Sequence, residues 1–153
     1  MKSISRTTIC AAIALVILSL EACKKENPIT AAPTATTDSV TAMLTTGNWK
    51  VSSLTQSKED NTSKVANYIL QFTAGGKLSA VLNNNTTTGT WSYTPAVTYY
   101  GSSSKEALNI NLGTSDPLRR LTGTWNVKSR TTTSLVMENP EILQDEHLTL
   151  QKQ

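Results

Sequence analysis

The stretch Tyr68-Ile69-Leu70-Gln71-Phe72-Thr73-Ala74-Gly75-Gly76-Lys77-Leu78-Ser79-Ala80-Val81-Leu82 decides the fold class of this chain. Tyr68, Leu70 and Phe72 share one parity, and Leu78, Ala80 and Leu82 share another. Successive side chains of a strand point to opposite faces, so such alternation marks two half-buried strands rather than a helix. Ala74-Gly75-Gly76 supplies the turn that folds one onto the other.

The same grammar continues on both sides. Asn83-Asn84-Asn85 is a second turn, and Leu108, Ile110 and Leu112 alternate before the breaker run Gly113-Thr114-Ser115-Asp116-Pro117. Leu121, Gly123, Trp125 and Val127 share one parity, Leu135 and Met137 mark another strand, and Leu148 and Leu150 the last. With residues 49–56 and 89–94 the count reaches about eight strands, and no helix is expected after residue 47. Polar positions between the apolar ones describe an antiparallel sheet with one face in a core.

All three tryptophans occur in one context: Gly47-Asn48-Trp49, Gly89-Thr90-Trp91 and Gly123-Thr124-Trp125. Positions i and i+2 of a strand face the same way, so each glycine is expected to leave room beside its ring. Small beside large is one way to fit indoles into a small barrel. The rings are then core plugs or, in a sharper reading, the lining of a ligand cavity.

These motifs carry a family resemblance. Met43-Leu44-Thr45-Thr46-Gly47-Asn48-Trp49-Lys50-Val51 resembles the opening of a lipocalin-like domain, in which a short helical turn leads into Gly-x-Trp on the first strand. Phe72-Thr73-Ala74-Gly75-Gly76-Lys77-Leu78 is similar to the Phe-x-x-x-Gly hairpin of small lipocalin-like lipoproteins of bacterial envelopes. Gly89-Thr90-Trp91 and Leu108-Asn109-Ile110 match their later strands. The resemblance spans about Val40 to Leu150. It implies an all-β, antiparallel up-and-down barrel of about eight strands, whose interior is filled or holds one small ligand. Lipocalins proper set an Arg from a late strand over the first Trp. Here the last strand offers Lys152, with Arg130 and Arg119 upstream.

Ahead of this domain, Lys2 and Arg6 precede an apolar run over residues 9–20, shorter than the ~20 residues a spanning helix needs. Leu20-Glu21-Ala22-Cys23 resembles the lipobox of lipoprotein precursors, although Glu21 replaces the usual small residue. The resemblance implies a signal peptide over residues 1–22, cleavage before Cys23 and a diacylglyceryl thioether on Cys23. Two or three acyl chains suffice for stable anchoring. The membrane would then be that of a bacterial envelope, most simply the outer one, with the periplasmic and surface sides both open.

Residues 23–38 read as the lipidated cysteine and a flexible tether, rich in Thr, Ala and Pro, that holds the domain on the order of 20 Å from the bilayer. The barrel domain is placed at residues 39–153. Asp38 is expected to cap a short helix presenting Val40, Met43 and Leu44, closed by Gly47. Asp38-Ser39-Val40 also resembles an envelope O-glycosylation triplet.

Composition excludes several functions. The chain has 153 residues, 38% hydrophobic and 16% charged, too apolar for disorder. Its formal charge of +3 contains no Lys/Arg run longer than a pair, so nucleic-acid binding is not expected. Neither cysteine lies beyond Cys23, which leaves the domain without thiol chemistry. His147, the single histidine, follows Asp145-Glu146, but neighbouring strand residues diverge, and no nucleophile elbow or phosphate loop accompanies it. An enzyme, a metal or a cofactor is therefore not expected. Two functions compete for what is expected to be a monomer. One is a binding module whose barrel holds a small apolar or amphipathic molecule, lined by Tyr68, Leu70, Phe72, Trp91, Tyr93, Leu108 and Ile110. The other is a filled barrel acting through loops such as Val97-Thr98-Tyr99-Tyr100.

Overall fold

A computed structural model describes residues 35–153. The leader, Cys23 and most of the tether lie outside the described residues. Helix α1 (Ala35–Thr45) is followed by β1 (Trp49–Gln56), β2 (Glu59–Asp60), a single helical turn α2 (Thr62–Val65), β3 (Ile69–Phe72), β4 (Lys77–Leu82) and β5 (Asn85–Thr94). The short hairpin β6 (Thr98–Tyr99) and β7 (Ser102–Ser103) precedes β8 (Ala107–Asn111), β9 (Gly123–Arg130), β10 (Ser134–Glu138) and β11 (His147–Lys152).

Eight of these strands, β1-β3-β4-β5-β8-β9-β10-β11, are neighbours in that order, and β11 pairs back onto β1. The result is a closed antiparallel barrel, which leaves no long sheet edge to template association. The closing seam runs from Trp49 opposite Lys152 to Thr55 opposite His147, with a bulge between Val51 and Ser53. On its other side β1 meets β3 only at Trp49 opposite Leu70. The α2 segment takes over the rest of that edge. The Asn61 backbone N–H donates to Leu54 O (2.8 Å), and Leu54 N–H donates to the Thr62 hydroxyl (2.9 Å). Asn61 is the one buried polar side chain among the described residues, and its amide oxygen accepts from Lys64 Nζ at 2.7 Å.

Three details differ from the sequence reading. α1 begins at Ala35, so Asp38 stands inside the helix rather than at its cap. Gly47 does follow α1 in the left-handed region, at φ +90°. Helical turns also occur after residue 47: α2, and 3-10 turns at Leu118–Leu121 and Ile142–Gln144. Leu121 therefore belongs to a turn and not to the strand that holds Trp125.

Strand direction defines two ends. The α1 end carries the links 46–48, 73–76 and 131–133 and the β6–β7 excursion. The opposite end carries the Ser57-Lys58 and Asn83-Asn84 turns, α2 and both 3-10 turns. Among the described residues, the core between them runs from Val40 to Leu150 and is one connected cluster. Residues 32–153 form one compact unit.

Candidate functional site

Leu70, Phe72, Trp91, Leu108 and Ile110 belong to the buried cluster. Tyr68 and Tyr93 are only partly buried and pack against it. Tyr68 directly precedes β3 at the opposite end, whereas Tyr93 lies near the α1 end of β5. Phe72 and Trp91 meet edge to face, with ring centroids 5.4 Å apart. Cross-strand pairs Trp91–Ile110, Tyr93–Leu108 and Leu108–Trp125 bring their backbones into register. Trp49, Leu54, Leu78, Trp125, Leu135, Met137, Leu148 and Leu150 occupy the same interior without exposure above 1%.

The three indoles are buried, and each N–H is satisfied by a backbone carbonyl. Trp49 Nε1 donates to Leu44 O at the end of α1 (3.0 Å), and Trp125 Nε1 donates to Leu121 O at the end of a 3-10 turn (3.0 Å). Trp91 Nε1 donates to Thr73 O in the β3–β4 turn (2.9 Å). Helix ends leave carbonyls without intrahelical partners, so the first two indoles both fill space and cap.

The glycines do not all leave space for their own rings. A Cβ on Gly89 would lie 2.9 Å from the Asn111 carbonyl carbon and 3.1 Å from Leu112 Cα, so this glycine admits the β8 backbone. One on Gly47 would meet Lys152 Cε at 2.9 Å. Only at Gly123, with φ +154°, is the nearest atom its own tryptophan's Nε1, at 4.0 Å.

The two largest hollows described are both on the surface. One, about 530 Å³, lies on the outer wall over β5, β8 and β9, where the Thr124 hydroxyl donates to Asn109 Oδ1 (2.7 Å). The other, about 510 Å³, is a groove at the α1 end between Ala42, Met43 and Thr46 of the α1 segment, Arg130–Thr132 and Lys152. Here two of the three cations considered for the late-strand arginine position come together. Lys152 stands opposite Trp49 and its Nζ reaches the Thr46 hydroxyl (3.4 Å). Arg130 pairs with Glu106 and donates to the Tyr93 hydroxyl (3.3 Å). Burial and the Glu106 hydrogen bond push the Tyr93 phenol above its ordinary range. Arg119 instead lies at the opposite end, on Asp116 (2.8 Å). Glu106 and its part in this cluster had no signal in the sequence, since it lies in an irregular link.

His147 Nε2 lies 3.1 Å from Asp145 Oδ1 on the surface. Glu146 turns elsewhere, accepting from Asn139 Nδ2 (2.6 Å) and Gln56 Nε2 (3.2 Å).

Fold and site together define a small closed eight-stranded antiparallel barrel, packed through its interior and plugged at both ends. A crystal structure described as a DUF4847 family protein from Bacteroides vulgatus ATCC 8482 has a similar fold, with a TM-score of 0.51 at 13% identity, covering 74% of this chain and 99% of the other. No protein-family model matches the chain, and no curated protein matches it in sequence.

Proposed function

We propose that this chain is a lipoprotein of the bacterial cell envelope, acylated on Cys23, most simply in the outer membrane, whose lipocalin-like barrel is a filled, non-enzymatic, monomeric body that acts through its surface. The observation that carries the reading is the interior: one continuous core with both ends plugged, and its largest described hollows outside. A lipocalin with a calyx keeps an apolar space of several hundred Å³ for its ligand; here indoles and leucines occupy the corresponding volume. The lipobox-like Leu20-Glu21-Ala22-Cys23 supports the anchor. Metabolic labelling with a palmitate analogue should mark the wild-type protein and leave Cys23→Ala unlabelled. Native mass spectrometry of the purified protein should show no retained small molecule; a stoichiometric apolar ligand would overturn the filled-barrel reading.

The groove beside α1 favours a second reading, in which a small amphipathic anion binds outside the barrel. Ala42 and Met43 offer an apolar wall, and Arg130 and Lys152 offer positive charge. Titration with a fluorescent fatty acid should then saturate, and Arg130→Gln should weaken it. Unchanged binding in that variant would remove the groove as the site.

A further inference from the structure

We infer that the α1 end of the barrel is a membrane-docking face that rests on anionic lipid headgroups. The inference builds on the proposed Cys23 anchor, since it concerns how an anchored barrel sits. It stands on three observations at one end of the molecule.

The first is charge. The links and strand termini of the α1 end carry Lys50, Lys77, Arg130 and Lys152 against Asp38 and Glu106, while Lys105 reaches Glu138 on the wall (3.0 Å). The opposite end carries four cations against Glu59, Asp60, Asp116, Glu141, Asp145 and Glu146. Lys128 and Glu138 pair on the wall between them (3.0 Å). The barrel is therefore polarised, positive at one end and negative at the other. Among the described residues, Lys50, Lys77 and Lys152 make no ion pair.

The second is an exposed aromatic tip at that same end. The β6–β7 hairpin projects Val97 (54% exposed), Tyr99 (74%) and Tyr100 (92%), and the two tyrosines pack edge to face at 4.4 Å. Tyr99 pairs with Ser102, which leaves Tyr100-Gly101 as a two-residue turn, both residues at positive φ (46° and 83°). Such a turn favours Asn or Asp before Gly, and a bulky ring there is unfavourable. The turn does not call for a bulky ring, and the fold leaves that ring in solvent, open to an outside partner. Tyr and Trp are the side chains that settle at the membrane interface, and lysines nearby add attraction to anionic headgroups.

The third is attachment. α1, the first described element, seats on this end: Leu44 is buried there and its carbonyl is held by Trp49. The helix that begins the described residues therefore packs on the basic, tyrosine-bearing end. Docking this end brings a surplus of cations to the lipid, while docking the other, where Lys58 and Lys64 also make no ion pair among the described residues, would bring a surplus of carboxylates to it.

Residues 32–153 form one compact unit, so this fragment, lacking Cys23, tests docking apart from acylation. Vesicles with about a third phosphatidylglycerol should bind it weakly and in a salt-sensitive way, and pure phosphatidylcholine vesicles should not. Lys50→Glu with Lys77→Glu should lower partitioning by more than about tenfold. Tyr100→Asn should lower it several-fold while the turn is kept, because Asn suits a positive φ. The domain has no cysteine of its own, so an environment-sensitive dye can be placed singly. At Tyr100→Cys it should shift blue on anionic vesicles, and at Lys58→Cys it should not. Equal partitioning to both vesicle types, or a response at position 58 alone, would overturn the inference. So would retention only on envelope membranes, abolished by protease treatment of those membranes, which would name a protein as the partner. Loss of palmitate label on Cys23 would touch the anchor and leave these results standing.

Discussion

The two ends of the barrel are closed by one device and finished in different chemistry. At the α1 end a helix terminates, Gly47 turns the chain, and two residues later Trp49 donates its indole N–H back to Leu44 O. At the opposite end the 3-10 turn terminates at Leu121, Gly123 follows, and Trp125 donates back to Leu121 O. Val40 and Leu44 plug the first opening, and Leu118 and Leu121 are buried at the second. Packing therefore explains what the ends share. The clustered lysines and exposed tyrosines of one, and the carboxylates of the other, are not needed by that packing. Features that differ between two ends built alike are where function is to be sought.

The largest effects should come from the shared device. Trp49→Ala and Trp125→Ala should each cost on the order of 3–5 kcal/mol, since each deletes a fully buried indole and leaves a carbonyl without its donor. Against a total of about 5–10 kcal/mol for a small domain, either should bring the chain near unfolding. Urea denaturation measures the loss. If one variant melts like wild type, its end is not plugged in solution and the symmetry between the ends fails.

Next comes Gly89, which belongs to neither end. Gly89→Ala should cost roughly 1–3 kcal/mol, because the new methyl meets rigid β8 backbone. Gly75→Ala, with nothing within 4 Å, is the control and should be close to neutral. Equal melting temperatures for the two would show that β5 and β8 approach less closely than described.

How much of this was legible beforehand follows from which signals are local. Strand alternation is local, and the Leu70–Phe72, Leu78–Ala80 and Leu108–Ile110 runs all became barrel walls. The need for glycine at position 89 is not local: it is set by Asn111 and Leu112, which no spacing rule connects to Gly89. α2 is too short to show an apolar period, and its one helical turn is held by hydrogen bonds to Leu54, a partner no local spacing reveals. The filled interior was undecidable from alternation, which marks inward positions without saying whether they meet. Polarity of charge between the ends needed strand direction as well as composition.

A smaller effect should separate the ends further. Tyr100→Asn should stabilise the domain by up to about 1 kcal/mol, since Asn tolerates the φ of 46° better than Tyr. Thermal unfolding checks this. A destabilised variant would mean that Tyr100 contributes to the fold, and the contrast between packing and exposed chemistry at the α1 end would be lost.

The smallest predicted effect concerns acid. At the opposite end, hydrogen bonds from Thr62 hold Asp60 below its ordinary range, and Arg119 does the same for Asp116. On the wall reached from the α1 end, Lys128 and Lys105 lower Glu138. A carboxylate depressed in the folded state stabilises the fold above its unfolded pKa of about 4, and that contribution is lost as pH falls through the folded value. All three groups are well solvated, so solvent screening keeps the contribution of each small. Two of the three sit at the opposite end, one beside α2 and one at the turn that carries Leu121. Between pH 7 and pH 3, amide exchange, corrected for its intrinsic pH dependence, should therefore accelerate more at Ala66 and Thr122 than at Trp49. Asp60→Asn with Asp116→Asn should flatten that difference, and Glu138→Gln should leave it unchanged. Uniform loosening at both ends would show that acid acts through the barrel as a whole, with neither end yielding first.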